Sequence, residues 1–373
     1  MRTALRTLLI PQSKSKIKAG DGTNNGTYKF FTSSPVQSKY YHEATYDRPA
    51  LIFGTGGNAS VHFCDEPFST STDCLVMYGS AEANLELIYQ YLCTNIHILQ
   101  AGFKGAGLQH ISKDYILDIE IDFPDKEKQT ALTGKVRKID HMLWNCRQQL
   151  VKLDELVKSR FIEQFGDLAS NPHGFTVVPL QELINRGMIT YHLDGNHGGD
   201  YPRSEEFTAE GVPYIGANCI VGGRIDFTMA KHLPPERAKR LRKGIAQHGD
   251  VLFAHNATVG PVVVLETQEP KVILSTSLTA YRCNTESINP YYLSSYMRSD
   301  GFVNQYSAEM KQTTRNQVPI TAQKKYLFMI PPIEQQEQFA AFVEQTEKSK
   351  LVVQQSLEKL ETLKKSLMQQ YFG

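Results

Sequence analysis

The sequence predicts an α+β protein in which two globular α/β domains, in tandem repeat, are separated by two long helices forming an antiparallel coiled coil. Three observations carry the prediction. Residues 123–166 lie over residues 330–373 at a constant offset of 207, without a gap and with 13 of 44 positions identical. A repeat this long marks a duplicated unit rather than a solenoid. Both copies place apolar residues at alternating spacings of four and three, the seam of a coiled coil. The segments between them mix short β-branched and aromatic runs with helical ones, bounded by Gly, Pro and Asn.

The domains follow as 1–122, 123–166, 167–329 and 330–373. The first begins with a basic stretch that has no acid before Asp21. Its apolar part is too short for a secretory signal, so it reads as the start of the first domain. The duplication continues faintly through the globular segments. Residues 51–53 answer 251–253, Ser69-Thr70-Ser71 answers Ser275-Thr276-Ser277, and Asn84 with the apolar helix after it answers Asn289. The first copy is the shorter, by about forty residues, and offers no evident counterpart to residues 177–195. In the second, residues 251–253, 261–265, 272–274 and 278–282 read as strands, and residues 236–245 as a basic helix.

The long helices are read from their seams. Leu132, Val136, Ile139, Leu143, Cys146, Leu150, Leu153 and Val157 line the first. Phe339, Val343, Thr346, Lys350, Val353, Leu357, Leu360, Lys364, Leu367 and Tyr371 line the second. Prolines stand only at the helix starts, where they cost no hydrogen bond. A helix of this length is a rod of about 60 Å. Antiparallel packing would relate the two domains by a pseudo-two-fold axis, the symmetry of a DNA backbone.

A formal net charge of +1 indicates no polyanion partner for the chain as a whole, so any nucleic-acid surface is local. The six cysteines form no CxxC, which suits reduced, packed thiols and a cytoplasmic setting. No apolar run has the length of a membrane span. Neither an HExxH nor a Gly-x-x-x-x-Gly-Lys-Ser/Thr loop occurs, so the sequence indicates neither a metal nor a nucleotide.

Two loops per domain carry DNA-reading chemistry. In the second domain Lys311, Gln312, Thr313, Thr314, Arg315 and Asn316 combine a phosphate-seeking cation with side chains able to grip guanine or adenine edges. Lys104 and Gln109 stand in the matching stretch of the first. The other loop is a strand connection, with Gly54, Thr55 and Asn58 in one copy and His255, Asn256 and Thr258 in the other; turn chemistry alone explains it equally well. The basic run of residues 231–243 suits a solvated face better than a phosphate clamp. Trp144, beside the first seam, suits either a partner interface or packing on its own domain. Gln148 and Lys152, with their repeat counterparts Gln355 and Lys359, complete a candidate partner surface.

With this domain order, duplicated helices and a Pro-x-x-Glu-Gln start at Pro331, Glu334 and Gln335, the chain resembles the specificity subunit of a type I restriction-modification enzyme. The first copy departs slightly, with Pro124, Glu127 and Lys128. The resemblance covers the whole length. It implies a non-catalytic protein whose two domains each read half of a bipartite target in double-stranded DNA. It further implies helices that act as spacer and dock for two methyltransferase subunits, with an ATP-dependent motor and nuclease subunit as a further partner. No cofactor is then expected in this chain; S-adenosylmethionine and ATP belong to those partners. The alternatives are a stand-alone DNA adenine methyltransferase, for residues 53–56 and Asn289-Pro290-Tyr291-Tyr292, and a structural coiled-coil module. Asn289-Pro290 reads more simply as a helix cap followed by a first-turn proline.

Overall fold

The computed structural model describes residues 2–310 and 316–372. They form two compact units, Met1–Gln148 with Val353–Gly373, and Gln149–Val352.

In the first unit an antiparallel sheet runs in the order Leu9–Pro11, Cys74–Gly79, Ala50–Gly54, Ser60–Cys64. Its central strands are apolar without interruption because both faces are covered, and alternate side chains leave on opposite sides. Leu51, Phe53, Leu75 and Met77 join one core, whereas Ala50, Ile52, Cys74 and Val76 join another with Phe31 and Phe68. The second face looks onto a smaller sheet in which Tyr28–Phe31 pairs antiparallel with Lys39–Tyr41 and parallel with Phe68–Thr70. Against the first face lies the helix Leu85–Thr94, whose N-cap Asn84 accepts from the Leu87 N–H at 3.1 Å.

The second unit repeats this plan. Ile189–Asp194, Leu278–Cys283, Val251–Asn256 and Thr258–Val264 form the main sheet. Again Val251, Phe253 and Tyr281 point into one core and Leu252, Ala254 and Ala280 into the other. A second sheet pairs Val212–Ile215 parallel with Val272–Leu274, and Asn289 caps the helix Pro290–Met297 through the Tyr291 N–H at 2.9 Å. The strands read from the sequence at 251–253, 261–265, 272–274 and 278–282 are all present.

Three expectations are corrected. The first copy does have a counterpart to residues 177–195. Arg2–Ala4, Leu5–Leu8 and Leu9–Pro11 repeat, in shortened form, the strand-helix-strand order of Thr176–Pro179, Leu180–Asn185 and Ile189–Asp194. Each opening strand pairs with the strand before a long helix, Glu120–Asp122 or Leu327–Ile330. Elements of three or four residues are too brief to show a period. The first copy is shorter partly because it lacks the hairpin Ile220–Val221/Arg224–Ile225 and the helix Pro235–Arg240.

That helix is the second correction, since it stops at Arg240 instead of continuing to residue 245. Leu241 turns inward and is buried, and Gly244, at φ 61°, passes so close to Gly195 that a side chain would clash at 2.7 Å. The third is a shift of two in the serine match. Ser71 donates its N–H to Phe31 O as Ser275 does to Ile215 O, so these two are equivalent.

The long helices are Lys126–Phe165 and Ile333–Phe372, 40 residues each. Within each unit their segments run antiparallel, the number on one rising as that on the other falls. In the first unit Asp140 meets Lys364 at 2.6 Å and Arg147 meets Glu361 at 3.1 Å. In the second Asp154 pairs with Lys350, and the Phe161 and Phe339 rings lie 5.5 Å apart. The seam residues Leu132, Val136, Ile139, Leu143, Phe339, Val343, Thr346 and Lys350 are buried. Near the C-terminus Met368 and Phe372 are buried more fully than the expected Leu367 and Tyr371, because they point into the first unit's sheet core. No helix of the described residues is long and apolar enough to cross a membrane.

Candidate nucleic-acid interface

Each main sheet ends in a hairpin whose tip meets the loop leading to the strand before a long helix. In the first unit the tip follows Gly54, where any side chain would collide with Ser60 and with the Ser33 backbone. Thr55 is buried and donates both its N–H and its hydroxyl to Asp73 O, at 2.8 and 2.9 Å. Beyond it Gly57 donates to Gln109 O at 3.3 Å, Lys104 and His110 exchange two backbone hydrogen bonds of 3.0 Å, and Ile111 donates to Thr55 O. Asn58, Lys104 and Gln109 stand exposed along this joined edge.

The second unit builds the same junction from other residues. His255 is buried, its Nδ1 3.0 Å from Val318 O, while Val318 N–H donates to His255 O. Ala257 sits at the turn with φ 64° and is clamped by Asn316. Its N–H donates to Asn316 O at 2.9 Å, and the Asn316 side chain returns a bond of 2.7 Å to Ala257 O. Thr258 and Asn316 are exposed and Asn256 is half-buried. Lys311, Gln312, Thr314 and Arg315, expected in this loop, lie outside the described residues.

The two loops named separately in each domain are therefore one edge in each unit. What the sequence did not disclose was the division of labour within them. Gly54, Thr55 and His255 are buried, and the Thr55 and His255 side chains bond to carbonyls of their own unit. A signal for this was present, because each continues the apolar run of a strand buried on both faces.

A second buried device holds the loop of the second unit. Gln323, fully buried, accepts from the Tyr281 hydroxyl at 2.6 Å and from His192 Nε2 at 3.1 Å, and donates to Val318 O and Thr279. A carbonyl oxygen only accepts, so His192 carries its proton on Nε2 and leaves a buried Nδ1 without a partner among the described residues. Burial pushes the His192 pKa down to about 4, and lowers that of His255.

Other candidates resolve differently. Trp144 is 58% exposed, and its ring stacks on that of His141 on the same helix. Lys152, Gln355 and Lys359 are exposed and Gln148 is half-buried. In the basic run Arg237 bonds Glu206 and Lys239 bonds Glu236, whereas Arg240, Arg242 and Lys243 are exposed. Asn289 spends its side chain on the helix cap, and the buried Tyr292 hydroxyl donates to Met329 O, so the Asn-Pro-Tyr-Tyr stretch is structural.

Comparison with known proteins agrees with the duplicated architecture. The type I restriction enzyme MjaVIII specificity subunit of Methanocaldococcus jannaschii is 20% identical over 287 residues, 72% of this chain and 65% of that protein. The EcoDI specificity subunit of Escherichia coli is 24% identical over 163 residues, 44% of this chain and 36% of its own length. The chain thus spans less than two thirds of these curated relatives. The crystal structure of the type I restriction-modification S subunit from M. genitalium shares the fold, with a TM-score of 0.59 and 16% identity over 100% of this chain and 96% of that one. Residues 8–141 and 174–362 match the type I restriction modification DNA specificity domain, and the chain belongs to that family.

Proposed function

We propose that this chain is the DNA-reading specificity subunit of a type I restriction-modification system, itself without catalysis and acting in the cytoplasm. The observation that carries the reading is the repeated edge, where a hairpin tip and a polar loop are fused in both units, on a scaffold buried on both faces. Polar tips on rigid scaffolds can reach base edges while the sheet stays fixed. Asn58, Lys104 and Gln109 in one unit, with Asn256, Thr258 and Asn316 in the other, are the residues we assign to DNA. Lys311, Gln312, Thr314 and Arg315 add cation and base-reading chemistry to the second half-site.

The helices supply the dock for two methyltransferase subunits. Trp144 and Leu351, at 58% and 42%, are repeat equivalents and both exposed; so are Leu156 and Leu363, at 49% and 52%. By the antiparallel register Trp144 stands level with Leu363 in the first unit, and Leu156 with Leu351 in the second. Each unit thereby displays an apolar pair, with Gln148, Lys152, Gln355 and Lys359 among the polar residues of the same helices. S-adenosylmethionine and ATP are assigned to partner subunits, the latter to a motor and nuclease.

The test is an N6-methyladenine map of DNA from a methylation-free host expressing this chain with its neighbouring methyltransferase. A split motif with a fixed gap is expected only when both are present. Exchange of residues 167–329 for another such domain should alter one half-site and leave the other. Methylation by the chain alone, or change in both half-sites, would overturn the reading.

A further inference from the structure

The second unit contains a cavity of about 560 Å³. Its floor is the capped helix Pro290–Met297 and the residues just after it; the two long helices form its walls, and the glycine turn of the hairpin at Gly222 and Gly223 overhangs it. The duplication explains why it is open. Aligned on their caps, the helices place Ser294 and Ser295 where the first unit has Tyr89 and Gln90, and Arg298 where it has Cys93. In the first unit Tyr89 packs on the core and Gln90 bonds Asp140 at 3.0 Å, closing the corresponding ground.

The charges inside are unequal in their needs. Glu347 is met by Arg224 at 3.1 Å and Lys350 at 2.7 Å, Asp154 also pairs with Lys350, and Lys158 is held by Asp300 at 3.0 Å. Glu266 accepts from the Tyr291 hydroxyl. Arg298 is the exception: among the described residues it forms no ion pair within 4 Å, and its guanidinium hydrogen-bonds Ser294, at 3.2 Å. Arg298 is exposed to solvent and lies within the electrostatic reach of Glu347 and Asp154, which line the same cavity but pair with other cations. The lining also has an apolar part, with Val157, Phe161, Ile162 and Val343.

We infer that this cavity is a binding site for a small organic carboxylate with an apolar body, its carboxylate on Arg298 and its body against Phe161 and Val343. A guanidinium holds a carboxylate through two parallel hydrogen bonds. The volume falls within the range of small-molecule pockets. Nothing in the DNA-reading proposal requires such a site, and the two stand or fall separately.

The probe is 1-anilinonaphthalene-8-sulfonate, an apolar anion whose fluorescence rises out of water, titrated into the full-length chain. One saturable site is expected, displaced by 1-naphthoate at least tenfold more effectively than by the neutral 1-naphthalenemethanol. Arg298→Gln, which loses only bonds to its own helix, should weaken binding at least tenfold with an unchanged melting curve. Ser294→Tyr with Ser295→Gln, which installs the first unit's own side chains, should abolish it. Undiminished dye binding in Arg298→Gln, or equal displacement by the alcohol, would overturn the assignment. Should the double variant fail to fold, Arg298→Gln alone decides.

Discussion

Ile111 in the first unit and Val318 in the second occupy the same position, each donating its N–H to the hairpin residue that ends a central strand, Thr55 or His255. Behind Ile111 the first unit packs Ile116, fully buried in an apolar core. Behind Val318 the second unit packs Gln323, His192, His255 and Tyr281, a buried polar network. The same loop is thus held by surface burial in one copy and by directional hydrogen bonds in the other. Apolar packing is indifferent to pH and tolerant of shape change, whereas a buried network is exact but costly to disturb. Duplication fixed the geometry and left the holding chemistry free to diverge.

The largest expected effect comes from the closing Phe-Gly of each helix. Phe165 has the Phe161, Phe175, Tyr292 and Phe339 rings about it, while Phe372 has Tyr91 and Phe123. Phe165→Ala should cost the second unit about 3–5 kcal/mol, the range for a buried phenylalanine. Phe372→Ala, with two rings about it in place of four, should cost the first unit roughly half as much. Hydrogen exchange resolved to each unit measures both, and equal losses would dissolve the distinction.

Acid should separate the units next. His192 folds neutral, its pKa pushed down to about 4 against an ordinary 6.5. Below pH 6.5 the unfolded chain takes up a proton that the folded chain refuses, so stability rises with pH across this window and is lost as pH falls from 6.5 toward 4. The loss is on the order of 3 kcal/mol. In the first unit Pro11 pairs with Met77 as His192 pairs with Tyr281, and the lowered His62 there is only half-buried. Thermal melts between pH 7 and 4.5 should therefore show the second unit falling first, and His192→Gln should flatten its pH dependence. A first unit that fell equally would tie acid sensitivity to something other than the histidine network.

These differences were unequally legible in the sequence. The repeat and seams were plain, because a coiled-coil period persists over many turns and survives local substitution. The opening Arg2–Ala4, Leu5–Leu8, Leu9–Pro11 segment was not, since its elements are shorter than the periods that identify them. The polar loops could be named, but the inward turn of Thr55 and His255 depends on what lies across the sheet. Likewise the cavity arises from Ser294 and Ser295 facing long helices distant in sequence. Neither serine signals anything until the copies are aligned on their caps.

Gln129 and Gln336, identical in the repeat, give a finer comparison. Each donates at 2.8 Å to the carbonyl of the proline that opens its helix, Pro124 or Pro331, and more weakly to a carbonyl before the capped helix. Gln336 makes one bond more, its Oε1 accepting the Asn289 N–H at 3.0 Å. Gln336→Leu should therefore cost about 2–3 kcal/mol, because it strands a donor as well as acceptors, and Gln129→Leu about 1 kcal/mol. Chemical denaturation of the two variants compares them directly, and reversed order would mean that the Asn289 bond carries no weight.

The smallest effect tests the seam itself. Lys350 is buried on it at 8% exposure, between Asp154 and Glu347, where the repeat places Leu143 at 5% in the first unit. Removing one partner of a buried pair is usually damaging, because the other is left uncompensated. Here neither carboxylate would be stranded: Glu347 keeps Arg224 at 3.1 Å, and Asp154 is largely exposed and regains water. Lys350→Leu should accordingly change stability by no more than about 1 kcal/mol in either direction, while Arg224→Leu with Lys350→Leu, which leaves Glu347 alone, should cost more than the sum of the two. Melts at low and high salt complete the cycle. A costly Lys350→Leu with additive partners would show that the lysine, and not the fit of the helices, sets the seam at this level.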